Sequence, residues 1–258
     1  SDIRQPVWSL LPASVQAIVS HHAVLLLDLD SALVQWELLS AQELDAKPLG
    51  LRVGVVRQLV VTTGLMPNTK PLVVWVTESN PILESQPLSL LLSQITYTQE
   101  WVDLRNAAVV FCALHTSMAT LLHWQGELSG TTKQPYLCLT DNYRLGIADI
   151  AQIRVAPRLL VLELTTLPES QSVLVALIQA WLSVGVQAVV VNNQPMSAEL
   201  RLYWLTVFYQ SLLRGEGVGL AAFHARQALF SKTASTEWAI FQCYGDPHCR
   251  VTEGLAPE

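Results

Sequence analysis

Residues 159–192 read LLVLELTTLPESQSVLVALIQAWLSVGVQAVVVN. The stretch opens on an apolar run rich in Leu and Val, continues with apolar residues at helical spacing up to Gly185, and ends on a second Val-rich run. Near-continuous hydrophobicity is typical of strands that are covered on both faces. The stretch therefore predicts a strand, a helix and a second strand, which is the repeating unit of an α/β sheet.

The same alternation continues on both sides of this stretch. The predicted strands are Ala23–Leu29, Leu72–Thr77, Ala107–Ala113, Leu159–Leu164, Ala188–Asn192 and a last one around Trp238–Tyr244. The predicted helices are Gln171–Val184, Ser197–Leu213 with Ser197 as its N-cap, and about Leu220–Phe230. We therefore expect a three-layer α/β/α domain with a mostly parallel central sheet.

Composition predicts one large folded domain, residues 1–258. Of the 258 residues, 51% are hydrophobic and 14% are charged, and no Pro/Gly/Ser-rich linker or charge run divides the chain. Binding of nucleic-acid phosphates requires a positively charged surface, whereas this chain has a net charge of −6. We therefore expect no nucleic-acid partner. The four cysteines are scattered, and two lie in apolar runs, which favours a reduced, cytoplasmic protein.

Residues 170–198 carry no charge, and by length alone they would permit a membrane span. Helical spacing stops at Gly185, however, and a short Val-rich run follows. A buried helix, a glycine stop and a central strand explain this pattern better. We predict no membrane insertion, and the N-terminus shows no signal-peptide pattern.

The second half of the chain resembles CHAT domains, a caspase-like and separase-like group. Residues 111–116 (FCALHT) resemble the family's apolar strand that closes on a catalytic His followed by Gly, and residues 159–165 stand where its strand ends in Ser-Ala-Cys. Further resemblances cover the hairpin and helix at 137–150, the helix and Val-rich strand at 180–191, the steps at 208–229 and the final strand at 238–247. The resemblance is best over 107–247; before it, residues 25–37 resemble the family's opening strand and Pro-Trp-Glu turn.

This resemblance implies a caspase-like fold with a degenerate dyad at His115 and Thr165. The two residues are separated by about the interval that caspase-type sequences have between His and Cys. A threonine hydroxyl is far less acidic than a thiol, and Thr116 occupies the place of the usual Gly. We therefore expect no working catalytic residue and no cofactor. We also expect no metal, because Cys243, His248 and Cys249 lack the fourth ligand that a closed zinc site needs.

The resemblance also implies a role. We expect an inactive pseudo-protease that acts as a protein-interaction or scaffolding module, because CHAT domains usually follow tetratricopeptide repeats. The expected partners are proteins, including a tetratricopeptide-repeat region, and the expected location is cytoplasmic, with cytoskeletal association left open. A residual peptidase is an alternative.

A rival hypothesis comes from residues 24–33 (VLLLDLDSAL), which resemble the first motif of haloacid-dehalogenase phosphatases. In that interpretation Asp28 is the nucleophile, Asp30 the general acid and Thr77 a phosphate-holding hydroxyl. Lys133 would be the required lysine, but no late acidic pair that could bind Mg²⁺ is apparent. Asp28 beside Thr77 in an open cleft would favour this hypothesis.

Overall fold

The computed structural model describes residues 24–28, 36–38, 47–59, 70–78, 98–139, 143–168, 170–233 and 236–251. Within these ranges the strands are β1 Val24–Asp28, β2 Gly54–Gln58, β3 Lys70–Thr77, β4 Thr98–Asp103, β5 Ala119–Thr131, β6 Gln134–Cys138, β7 Arg144–Gly146, β8 Leu159–Thr166, β9 Ala188–Asn192 and β10 Phe241–Gly245. The α-helices are α1 Ala107–Thr116, α2 Ile147–Ile150, α3 Gln171–Ser183, α4 Ala198–Leu213 and α5 Val218–Thr233. Short 3-10 helices cover Trp36–Leu38, Leu49–Leu51 and Thr236–Ala239.

The strands form one sheet in the order β1-β2-β10-β9-β8-β5-β3-β4. The strands β9, β8, β5, β3 and β4 are parallel to one another, and β10 pairs antiparallel with β9. The strands β1 and β2 are parallel to β10, so two parallel blocks of opposite direction meet between β9 and β10. The end of β5 extends into an antiparallel hairpin with β6 and β7. The expectation of a mostly parallel sheet is confirmed.

Helices cover both faces of this sheet. On one face, α1 and α3 pack buried apolar side chains against alternate residues of the central strands, such as Leu160 and Val191. On the other face, α4 and α5 pack against the intervening residues, such as Val161 and Val190. Alternation of side chains along each strand places these two sets on opposite sides. The three-layer α/β/α architecture is therefore as predicted.

The uncharged stretch folds as a helix, a turn and a strand. The helix α3 ends at Ser183, and Gly185 follows with φ +108°, a backbone conformation that favours glycine. The strand β9 has the predicted bounds, and each of its residues is buried. Among the described residues, no helix has the length and apolar character that crossing a membrane would require.

The predicted strand at Ala107–Ala113 is wrong, because these residues form the helix α1. The side chain of Asn106 accepts a hydrogen bond from the Val109 N–H and caps the helix. Buried residues then recur at helical spacing, at Ala107, Val110, Ala113 and Leu114. A short, continuous apolar run does not distinguish a buried strand from a buried helix. The N-cap at Asn106 is the local feature that favours the helix.

A fully buried ion pair ties the first part of the chain to the rest. The Glu37 carboxylate accepts two hydrogen bonds from Arg57 of β2, at 2.6 and 2.7 Å. The Arg226 guanidinium of α5 lies 3.4 Å from the same carboxylate and donates to the Phe241 carbonyl at 3.0 Å. Burial alone would raise the pKa of Glu37, but Arg57 and Arg226 outweigh it and hold the pKa below its ordinary value.

Candidate functional site at the carboxyl edge of the sheet

The ends of β8 and β9 lie at the level of residues 125–127 of β5, and we call this rim of the sheet the carboxyl edge. Thr165 lies near the end of β8 and is exposed. In the register of β5 and β8, Gln125 pairs with Glu163 and Gly126 pairs with Leu164. The half-buried Gln125 is therefore placed on the strand beside Thr165.

The structure does not bring His115 and Thr165 together. His115 is exposed in the last turn of α1, just before the start of β5. The stretch of β5 from Ala119 to Glu127 separates that start from the carboxyl edge, where Glu127 pairs with Thr166, and it spans about 25 Å at roughly 3.3 Å per residue. His115 and Thr165 consequently lie at opposite edges of the sheet.

The residues beside Thr165 that sequence reasoning missed are Gln125 and Gly126. They follow the buried apolar start of β5 as a polar residue and a glycine. That pair was the available signal, and the apolar run at 107–113 drew the prediction away from it. Gln125 and Thr165 therefore lie on neighbouring strands at the carboxyl edge.

Gly126 is required by its surroundings. A Cβ atom added there would lie 2.9 Å from the Trp124 Nε1 atom and 3.1 Å from a Leu104 methyl carbon. The Trp124 indole and Leu104 are both buried in the core, so neither can move away easily. The glycine is thus explained by packing alone.

A chain of polar side chains, buried except for Arg201, lies beneath the carboxyl edge. The His123 Nδ1 atom is 2.6 Å from the Tyr209 hydroxyl, and its Nε2 atom is 2.7 Å from a Glu163 carboxylate oxygen. The other Glu163 oxygen lies 3.1 Å from the Arg201 Nε atom. The Trp75 ring stacks on His123 with centroids 4.5 Å apart. This Tyr209–His123–Glu163–Arg201 chain connects α4 with β5 and β8.

Burial and charge shift the pKa values of Glu163 and Tyr209 in this chain. Burial would raise the pKa of Glu163, but His123 and Arg201 outweigh it and lower the pKa below its ordinary value. Burial, followed by the charge of Glu163, raises the pKa of Tyr209 well above its ordinary value. Because the Glu163 carboxylate only accepts hydrogen bonds, the His123 Nε2 atom carries the hydrogen between them. The other ring nitrogen of His123, Nδ1, faces the Tyr209 hydroxyl.

This arrangement leaves His123 unsuited to act as a base for Thr165. Both of its ring nitrogens are engaged, and the residue is 1% exposed. A general base must reach the proton that it removes. The His123 imidazole therefore makes hydrogen bonds within the core and is not available at the carboxyl edge.

We expect the Tyr209→Phe variant to be less stable by about 1–3 kcal/mol, because the buried His123 Nδ1 atom loses its partner. Urea unfolding monitored by circular dichroism measures the loss. The matched control is Tyr143→Phe, since Tyr143 is 60% exposed. Equal midpoints for the two variants would contradict the structural importance of the hydrogen bond.

Two asparagines follow the apolar part of β9 at the same edge. The Asn192 side-chain amide pairs with the backbone of β8 as a neighbouring strand would. Its Oδ1 atom accepts a hydrogen bond from the Leu164 N–H at 2.6 Å, and its Nδ2 atom donates one to the Leu164 carbonyl at 2.9 Å. Asn193 is 7% exposed, and neither polar atom of its side chain has a hydrogen-bond partner among the described residues. Buried amides are normally paired, so the unpaired one is unusual.

The thiols with altered acidity are less acidic than usual. Burial, followed by Glu127, raises the pKa of Cys138, and burial raises the pKa of Cys243 to about 11. A nucleophilic cysteine needs the opposite shift, because the thiolate is the reactive form. The pKa shifts of Cys138 and Cys243 therefore do not favour either thiol as a nucleophile.

The phosphatase hypothesis is not supported by the topology. Asp28 ends β1 and Thr77 ends β3, but these strands belong to blocks of opposite direction, so their ends lie at opposite edges of the sheet. Five strands also separate them, which amounts to about 30 Å. Thr77 is 2% exposed and lies 3.3 Å from the Trp101 indole nitrogen, and Asp30 lies outside the described residues.

Comparison with protein families settles the relationship. The model of the CHAT domain matches residues 85–246, which is more than half of the chain. The chain belongs to the CHAT domain family. The match includes Gln125, Thr165 and all of the Tyr209–His123–Glu163–Arg201 chain, whereas β1, β2 and β3 precede it.

Comparison with solved structures finds chains of similar fold at low sequence identity. Two crystal structures of the Saccharomyces cerevisiae separase–securin complex match 82% of the chain at 12% identity, with TM-scores of 0.48 and 0.46. The match covers 14% and 15% of the solved chains, so the CHAT domain spans about a seventh of their length. Comparison with curated proteins finds no match.

Proposed function

We propose that this CHAT domain is a pseudo-protease that binds a protein partner at the carboxyl edge and does not cleave it. The observation that carries the proposal is the pair of side chains that we assign to the dyad positions: Gln125 is not basic, and the Thr165 hydroxyl has no hydrogen-bonded base among the described residues. Nucleophilic catalysis needs both an activated nucleophile and a base within hydrogen-bond reach. His123 supports the proposal because it is committed to Tyr209 and Glu163.

The partner that we propose is a protein, including the tetratricopeptide-repeat region that usually accompanies CHAT domains. An extended peptide is the form that we propose, because the exposed Thr165 and the half-buried Gln125 lie beside each other on neighbouring strands and can both contact one peptide segment. We expect this interaction to take place in the cytoplasm. Isothermal titration calorimetry with repeat regions encoded beside the domain would measure it.

The test of inactivity is restoration of the dyad. We expect the wild type to cleave no member of a broad peptide library, and the variant Gln125→His/Thr165→Cys to gain cleavage. The Thr165→Cys variant alone should be about 100-fold or more slower than the double variant, because it has the thiol without a general base. Mass spectrometry of the digested library measures each rate.

The control is Thr165→Ala, which removes the hydroxyl and leaves the sheet unchanged. Hydrolysis by the wild type that is lost in Thr165→Ala would show a working peptidase and overturn the proposal. Circular dichroism confirms that each variant is folded before its activity is compared.

A further inference from the structure

Arg201 is an anchored guanidinium at the rim of the carboxyl edge. It lies in the second turn of α4, and its Nε atom is 3.1 Å from the buried Glu163 carboxylate. Glu163 is held in turn by His123 at 2.7 Å. The Arg201 side chain is 31% exposed, whereas that of Glu163 is 8% exposed. The inner side of the guanidinium is thus fixed to the core, and its outer side faces solvent.

The outer side of Arg201 has unused hydrogen-bonding capacity. A guanidinium carries five N–H donors in a planar fork, and Glu163 engages the Nε side. The two terminal amino groups of Arg201 make no hydrogen bond with any described residue. Such a fork matches the two oxygens of a carboxylate.

The position of Arg201 places this fork close to Thr165. Glu163 and Thr165 are two residues apart on the same face of β8, which corresponds to about 7 Å. The N-terminus of α4, capped by Ser197, adds a positive partial charge at the same place. The connection from β9 to α4 also contains the buried, unpaired amide of Asn193. An anionic group and a peptide backbone would therefore both find complementary groups here.

The surrounding charges favour one carboxylate over a phosphate. Arginine clusters are the usual receptors for phosphate groups. Two other basic side chains on this part of the surface are already matched with acids: Arg105 with Asp103, and Lys232 with Glu199 at 2.8 Å. The exposed Glu127, which accepts a hydrogen bond from the Thr166 hydroxyl, would also repel a doubly charged group.

We propose that Arg201 binds an acidic side chain of an extended peptide segment of the partner protein, next to Thr165. The inference rests on the proposed function, and it specifies the partner chemistry at the same site. In this arrangement the Arg201 amino groups donate to an Asp or Glu carboxylate of the partner, and Glu163 holds the guanidinium in position. Glu163 is a positioning residue and does not touch the partner.

The test starts from random octapeptides displayed on phage and selected on the immobilised full chain. We expect enrichment of peptides with an Asp or Glu at one position. A synthetic peptide from that pool should bind about 10-fold more tightly than the same peptide with Gln or Asn at that position, as measured by fluorescence anisotropy. Selection without acidic enrichment would overturn the proposal.

Variants of the chain identify the residue that binds the acidic side chain of the peptide. Arg201→Met should bind the acidic peptide about 10-fold more weakly and should no longer distinguish it from the amide peptide. Arg214→Met is the matched control, because the Arg214 Nε atom lies 3.4 Å from Glu216 at the other end of α4 and its side chain is 59% exposed. Arg201→Lys keeps the charge without the fork, and we expect an intermediate loss.

Two results separate this inference from the proposed function. Peptide binding that is unchanged in the folded Arg201→Met variant overturns the role of Arg201 but leaves a pseudo-protease that binds peptides elsewhere. Cleavage of the selected peptide by the wild type overturns the pseudo-protease proposal, even if Arg201 binds the acidic side chain of that peptide.

Discussion

A fragment that begins at residue 85, where the CHAT match begins, is expected not to fold. The fragment lacks β3, which lies between β5 and β4 in the sheet. Residues 73–76 of β3 are at most 2% exposed, so their removal leaves a gap through the middle of both apolar layers. The fragment also lacks β2 and Glu37, the partners of β10 and Arg226.

Far-UV circular dichroism and urea titration of residues 85–258 measure the outcome. We expect weak secondary structure and no cooperative transition. The control is the fragment 23–258, which keeps every described strand and should unfold cooperatively. Cooperative unfolding of the shorter fragment with the same helix content would refute the expectation and show that β3 is dispensable.

The Glu37→Gln variant is expected to lose about 3–5 kcal/mol of unfolding free energy. Removing one partner of a buried ion pair leaves an uncompensated charge in the core, which is much more costly than losing an exposed pair. Here two guanidinium groups, of Arg57 and Arg226, would lose the carboxylate that both contact. Equilibrium urea unfolding at neutral pH measures the change.

The control for Glu37→Gln is Glu199→Gln. Glu199 contacts Lys232 at 2.8 Å, but its side chain is 79% exposed, so we expect nearly the same urea midpoint as in the wild type. A similar midpoint for Glu37→Gln would show that the buried ion pair does not stabilise the domain.

Acid should weaken the wild type more than the Glu37→Gln variant. The pKa of Glu37 is lowered in the folded protein, so its carboxylate stabilises the fold above the ordinary pKa of 4.5. That contribution is lost as the pH falls through the lowered pKa. The variant has no carboxylate at this position, so its urea midpoint should fall less between neutral pH and about pH 4. An equal fall in both proteins would contradict this assignment.

The elements with one unambiguous signal could be predicted from the sequence. The strand β9 was predicted with its observed bounds because its Val-rich run is too short for a helix and follows a glycine stop. The helix α4 was predicted with Ser197 as its N-cap, and the Ser197 hydroxyl accepts from the Leu200 N–H. In both places local preference and tertiary packing agree.

The central strand β5 could not be found in this way. Its apolar start is interrupted by His123, which is buried because it has a partner on each side, in Tyr209 and Glu163. Those partners are 86 and 40 residues away in sequence, so no local pattern indicates them. The same interruption hid Gln125. The place of Thr165 near a strand end could be predicted because four consecutive apolar residues, at 159–162, precede the one interruption at Glu163.

The pairing of β2 with β10 has a consequence for how the domain forms. Val56 lies opposite Cys243, almost the whole described chain apart, and β10 joins β2 to β9. During synthesis, β1 and β2 leave the ribosome early but have no place in the sheet until β10 follows. We therefore expect them to remain unpaired with the main sheet through most of translation, when chaperones can bind them, and we expect late, slow completion of the sheet.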